Sequence, residues 1–118
     1  MHETQTVGRI CIVANELPHL IRNGGIGTHN WLLSESLAAA GWEVHVLFCG
    51  KLENPRQLVH CRQLLDPQGI RLWNLGEFVS PAVDAVECGL VGEIDRHSMR
   101  VRRALEQLDA VHHFDLIE

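Results

Sequence analysis

The apolar run RICIVAN at residues 9–15 constrains the fold of this chain more than any other feature of its sequence. The run is continuous and contains β-branched residues, which is typical of a strand buried on both faces of a parallel sheet. A second run of this kind, EVHVLFC, follows at residues 43–49. The spacing of apolar residues between the two runs predicts a helix over about 29–40. Residues 9–49 therefore predict a strand–helix–strand unit with a right-handed crossover.

The rest of the chain continues this alternation. The patterns predict a weaker helix over 54–66, a third strand over 70–75, a long loop over 76–92, a helix over 93–110 and a fourth strand, FDLIE, over 114–118. The long loop is also rich in apolar residues, so a short helix within it is an equal alternative. The predicted fold class is α/β: a doubly wound, Rossmann-like parallel sheet, partial, of about four strands with flanking helices.

The expected strand order 3-2-1-4 leaves the fourth strand at an edge of the sheet. An apolar edge that is left unpaired favours pairing with another chain. We therefore expect either that these residues are part of a longer protein, which is the preferred interpretation, or that the chain self-associates through the edge of strand 4.

Composition excludes several classes of function. Of 118 residues, 46% are apolar and 21% are charged, as in ordinary globular domains. The net charge of −5 argues against a general nucleic-acid partner. The sequence has no run of about 18 apolar residues, so we expect no membrane span. Its first residues do not show the pattern of a signal peptide, so we expect none. The four cysteines form no CxxC pair, and the histidines lack the spacing of zinc ligands. We expect a cytoplasmic, reduced protein with no metal and no cofactor.

Three glycines separate the first strand from the first helix, in the stretch Asn23-Gly24-Gly25-Ile26-Gly27. Glycine lets the backbone approach a ligand closely, and a helix N-terminus favours an anion. We expect Thr28 to cap the helix. The stretch matches neither GxGxxG nor the P-loop pattern, so a nicotinamide-dependent oxidoreductase is disfavoured. A tight turn without any ligand is the alternative that these residues alone leave open.

The segment RNGGIGTHNWLLSESLAAAGWEVHVL resembles the N-terminal domain of retaining glycosyltransferases with the two-domain GT-B fold. It is most similar to family 4 and to the glycogen/starch synthases, and FDLIE resembles a later strand of the same domain. The resemblance implies transfer of a sugar from a nucleotide-sugar donor to a hydroxyl group of a carbohydrate or other acceptor, with retention of configuration.

The resemblance also implies roles for individual residues. In that family the glycine loop approaches the donor's diphosphate and sugar, a role that falls here on Gly24, Gly25 and Gly27. Arg22 stands where the synthases have a lysine and could pair with phosphate, and a solvated loop charge is the equal alternative for it. Glu16 and His29 are candidates for the acceptor side, although a solvated loop or helix position is the alternative for each. No catalytic residue is assigned within residues 1–118.

The resemblance implies that residues 1–118 form an incomplete N-terminal, acceptor-side domain, and that the C-terminal donor-binding domain is absent. Such a fragment is expected to be inactive alone. The competing interpretation is a non-catalytic α/β module for binding or assembly.

Overall fold

A computed structural model describes residues 6–17, 25–50, 52, 54–78 and 93–118 of the chain. The chain divides into two compact units, one of Met1–Trp73 with Phe114–Glu118 and the other of Asn74–His113. The elements in chain order are β1 (Arg9–Ala14), α1 (Gly25–Ala39), β2 (Glu43–Phe48), α2 (Pro55–Leu65), a 3-10 helix (Asp66–Gln68), β3 (Ile70–Asn74), a second 3-10 helix (Leu75–Glu77), α3 (Glu93–His112) and β4 (Leu116–Ile117).

The four strands form one parallel sheet in the order β3-β2-β1-β4. β1 pairs with β2 along its whole length, from Arg9 opposite Glu43 to Ala14 opposite Phe48. On its other side β1 pairs with β4 through Ile10 and Cys11. The predicted fold class, four-strand sheet and strand order are therefore confirmed.

The apolar core cluster of the first unit lies on one face of the sheet, and Cys11 and Leu47 are buried on the opposite face. Side chains alternate between faces along a strand, so every second residue of β1, β2 and β3 faces this core. α1 and α2 contribute apolar side chains to the same core. Its buried members are Ile10, Ile12, Ala14, Leu17, Val44, Val46, Phe48, Cys61, Leu65, Ile70 and Leu72. The partly buried side chains of Trp31, Leu33, Leu37 and Trp42 pack against it.

The start of α1 differs from the prediction. The helix begins at Gly25, four residues before the predicted start, so Thr28 lies inside it and is not its cap. Glycine is a poor helix former, and it has no side chain that could extend the helical pattern of apolar residues. The predicted end is confirmed, because Gly41 follows the helix with a φ of 98°.

α2 has both of the signals that start and stop a helix. The Asn54 side chain accepts a hydrogen bond from the backbone N–H of Arg56, and Pro55 occupies the first turn. After the first 3-10 helix, Gly69 takes a φ of 78° and the chain enters β3. The predicted helix and the predicted third strand are confirmed, and each of their boundaries lies within one residue of the prediction.

The second unit contains the second 3-10 helix and α3. Asn74 and Glu77 form a reciprocal capping box, in which the backbone N–H of Asn74 donates to Glu77 Oε1 at 2.8 Å. In α3, Ala104 and Leu108 are buried. The predicted loop over 76–92 lies mostly outside the described residues. Among the helices described, none is long and apolar enough to cross a membrane.

Candidate functional site

The candidate site lies where β1 ends and α1 begins, at the carboxyl edge of the parallel sheet. β1 and β2 end level with each other, since Cys49 N–H donates to the Ala14 carbonyl at 2.8 Å just beyond the last strand pair. Ligands of open α/β sheets bind at this edge because loops from neighbouring strands open there. The chain leaves β1 through Asn15, Glu16 and Leu17.

Leu17 anchors the start of this loop. Its side chain is 1% exposed and belongs to the core of the first unit. Glu16, its neighbour, is half-buried. Burial of Leu17 therefore fixes the backbone of the loop at Glu16 and Leu17. At Glu16 this backbone lies beside the first turn of α1.

Gly27, in the first turn of α1, lies against the described start of this loop. It is buried, and a Cβ on it would lie 3.3 Å from the Glu16 carbonyl carbon. The same Cβ would lie 3.4 Å from both Glu16 Cβ and Leu17 Cα. The separation of 3.3 Å is tighter than most real Cβ contacts, and the two of 3.4 Å lie at the lower limit of ordinary contact, so a side chain at Gly27 would require Glu16 to shift by a few tenths of an ångström.

The amino end of α1 has the electrostatics of an anion site. The first four backbone N–H groups of an α-helix have no partner within the helix, and the helix dipole places partial positive charge there. The first turn of α1 contains no acidic residue that would neutralise this charge. Its backbone can therefore favour a phosphate group.

The predicted site residues divide into two groups. Gly25 is the first residue of α1, Gly27 lies against Glu16, and His29 lies one turn further along the helix with its side chain exposed. The structure thus brings Glu16 and Gly27 together. Arg22 and Gly24 lie outside the described residues, so their predicted roles stay predictions.

A polar network that the sequence did not reveal lies at the opposite, amino end of the sheet. His45 is fully buried on β2, and its Nε2 is 3.0 Å from Glu43 Oε2. Its Nδ1 accepts a hydrogen bond of 3.0 Å from Trp73 Nε1. Arg9 Nε lies 3.3 Å from the same Glu43 oxygen. The available signal was the two-residue spacing of Glu43 and His45, which places both side chains on one face.

Aromatic rings enclose this imidazole. The Trp73 ring lies parallel to it with centroids 6.2 Å apart, and the Phe114 ring meets it edge-on at 5.1 Å. Partial burial raises the pKa of the Glu43 carboxyl, but the hydrogen bond from His45 and the positive charges of Arg9 and Arg71 outweigh it, so the pKa is lowered overall. Arg9 and Glu43 begin β1 and β2, so their part of the network lies at the opposite strand ends from Gly25 and Gly27.

The cysteines described in the structure are buried thiols. Burial, with a smaller effect of nearby Cys49, raises the pKa of Cys11 to about 12. Burial raises the pKa of both Cys49 and Cys61 to about 11. A thiol must ionise to act as a nucleophile, so these three side chains are unsuited to nucleophilic chemistry near neutral pH.

Comparison with known protein families gives a match over most of the chain. The model of the starch synthase catalytic domain matches residues 9–100, which include β1, α1, β2, α2 and β3. Glu16, Gly24, Gly25 and Gly27 lie within the matched region. Comparisons with curated proteins and with solved structures find no match for the chain.

Proposed function

Because the chain belongs to the family of starch synthase catalytic domains, we propose that it forms the glycine-loop wall of a site for nucleotide-sugar-dependent glycosyl transfer. Family membership supports a role in sugar transfer in general. The finer proposal is that a nucleotide sugar donates its sugar to a hydroxyl group of a carbohydrate acceptor, with retention of anomeric configuration. The wall belongs to a two-domain GT-B cleft.

One observation carries this proposal: α1 begins at Gly25, at the carboxyl edge of the sheet, with no acidic residue in its first turn. A diphosphate needs N–H donors and positive potential, and the first turn of a helix offers both. We assign binding of the donor's diphosphate and sugar to Gly24, Gly25 and Gly27. Because glycine has no side chain, a ligand can come close to the backbone of these residues. Arg22 would add a charged hydrogen bond to phosphate.

The acceptor side of the proposed site falls to Glu16 and His29. A carboxylate accepts hydrogen bonds from sugar hydroxyls, and a neutral imidazole can donate or accept one. Glu16 follows β1 at the ligand edge, and the exposed His29 lies on the first part of α1. Both positions are compatible with an acceptor that arrives from solvent.

Binding of donor tests the proposal directly. The natural polypeptide carrying these residues would be titrated calorimetrically with the glucose esters of ADP, GDP and UDP at low and high salt. We expect one of them to bind, and we expect Arg22→Ala to weaken that binding by about tenfold, the loss of one charge-assisted hydrogen bond. Arg56→Ala is the matched control, since Arg56 is an exposed arginine at the start of α2. Absence of binding by all three donors would contradict the proposal.

Retention has a separate test. Transfer of glucose to maltotetraose, a short fragment of starch, would be followed by proton NMR of the newly formed anomeric position. Nucleotide sugars commonly present the α-linkage, so a retaining transfer yields an α-linked product. A β-linked product would overturn retention while leaving the donor assignment intact.

A second candidate function, assembly through the sheet edge, has its own support. β4 lies at the end of the strand order, and its Leu116 and Ile117 are 54% and 49% exposed. Apolar edge strands pair with other chains. Sedimentation over a range of concentrations would show self-association that Ile117→Lys abolishes. The control is Val111→Lys, which adds the same charge at a residue 70% exposed on α3. A monomer at all concentrations would exclude this candidate.

A further inference from the structure

The contact between Gly27 and the loop after β1 has a second consequence. The three atoms that a Cβ at Gly27 would approach are the carbonyl carbon and Cβ of Glu16 and the Cα of Leu17. None is the flexible end of a side chain. An added methyl group therefore has to displace the backbone at Glu16, because Leu17 is held in the core.

We propose that Gly27 is a positioning residue for the Glu16 carboxylate, and that this carboxylate receives a hydrogen bond from a sugar hydroxyl. This inference rests on the proposed function and deepens it. The first turn of α1 lies directly against the atoms from which the Glu16 side chain departs, so the packing at Gly27 sets where the carboxylate begins. The role is separate from any contact that the backbone N–H of Gly27 makes with phosphate.

Charge decides which ligand group the carboxylate serves. A carboxylate is repelled by a diphosphate, and among the uncharged groups of a nucleotide sugar or a carbohydrate it attracts those that donate hydrogen bonds. Sugar hydroxyls are such donors, and both the donor sugar and a carbohydrate acceptor carry them. At this edge of the sheet, the N–H groups of α1 thus favour binding of phosphate, whereas the Glu16 carboxylate favours binding of a hydroxyl group.

The structural half of the inference is tested without any ligand. NMR spectra of the chain labelled with ¹⁵N and ¹³C would be compared for the wild type, Gly27→Ala and Ser36→Ala. Ser36 is an exposed residue of α1, so its substitution controls for a general change in the helix. We expect Gly27→Ala to shift the resonances of Glu16 and Leu17, and Ser36→Ala to leave them unchanged. Unchanged Glu16 resonances in Gly27→Ala would overturn the positioning role.

The ligand half is tested by binding. The natural polypeptide would be titrated with maltotetraose, with the nucleotide sugar that it binds, and with the matching nucleoside diphosphate. We expect Glu16→Gln and Gly27→Ala each to weaken binding of a sugar-containing ligand by about tenfold. The double variant should bind about as weakly as either single one, since both remove the same interaction. A merely structural effect of Gly27→Ala would instead add to that of Glu16→Gln.

The two sugar sources give different patterns. A loss confined to maltotetraose assigns the hydroxyl to the acceptor, whereas a loss for the nucleotide sugar but not the nucleoside diphosphate assigns it to the donor sugar. Equal loss for the nucleoside diphosphate would overturn the hydroxyl assignment. Wild-type binding with no effect of Glu16→Gln overturns this inference alone. Absence of wild-type binding to all ligands overturns the proposed function and, with it, the ligand half.

Discussion

His45 has a different partner at each ring nitrogen, and this fixes its tautomer. An indole N–H can only donate, so Nδ1 of His45 must be the acceptor of the hydrogen bond from Trp73 Nε1. The hydrogen of the neutral ring is then on Nε2 and points to Glu43 Oε2, 3.0 Å away. Protonation of Nδ1 would place two donors face to face. At the scale of the residue, His45 is thus held as a neutral link between an indole and a carboxylate.

Removal of the indole donor tests this arrangement. Trp73→Phe keeps an aromatic ring but leaves Nδ1 of the buried His45 without that donor, which should lower the free energy of unfolding by about 1–3 kcal/mol. In a double-mutant cycle with His45→Phe, the second substitution should cost less in the Trp73→Phe background than in the wild type. Urea denaturation measures all four variants. Strictly additive effects would show that the hydrogen bond contributes nothing to stability.

Glu43 gives a prediction for pH. Its folded-state pKa lies below the ordinary value of 4.5, so the folded state favours the ionised form. The stabilisation is present above pH 4.5 and is lost as pH falls through the lower, folded-state pKa. We expect the wild type to exceed Glu43→Gln in unfolding free energy by a constant amount near neutral pH. That difference should shrink under acid conditions. A difference that grows as pH falls would contradict the assignment.

At the scale of the element, two glycines in left-handed conformations end the helical segments that precede β2 and β3. A Cβ at Gly41 would meet Val7 Cγ2 at 3.2 Å, whereas a Cβ at Gly69 would meet nothing within 4 Å. Gly69→Ala should therefore cost only the conformational strain, about 1–2 kcal/mol. Gly41→Ala should cost more, because Val7 must also move. Thermal and urea unfolding of both variants would compare them, and a larger cost at Gly69 would refute this explanation.

The same elements show what the sequence could predict. Apolar strands and the alternation with helices predicted the four strands and their order, because each signal repeats along several residues. The start of α1 was predicted four residues late, because Gly25 and Gly27 carry no apolar side chain and have low helix propensity. The His45 network was missed because Trp73 and Arg9 reach it from β3 and β1, although Glu43 and His45 share β2. The contact between Gly27 and Glu16 likewise depends on tertiary packing, so no local sequence pattern could predict it.

At the scale of the whole molecule, the final prediction concerns activity. The resemblance to GT-B enzymes implies that most nucleotide contacts, and the basic residues that neutralise the diphosphate, come from a second domain. A diphosphate held only by one helix end and one arginine retains most of its charge, and transfer requires that charge to be stabilised as the sugar leaves. We therefore expect the purified 118-residue chain to transfer no labelled glucose from nucleotide sugar to maltotetraose. The natural polypeptide assayed in parallel is the control, and turnover by the 118-residue chain itself would contradict the two-walled cleft.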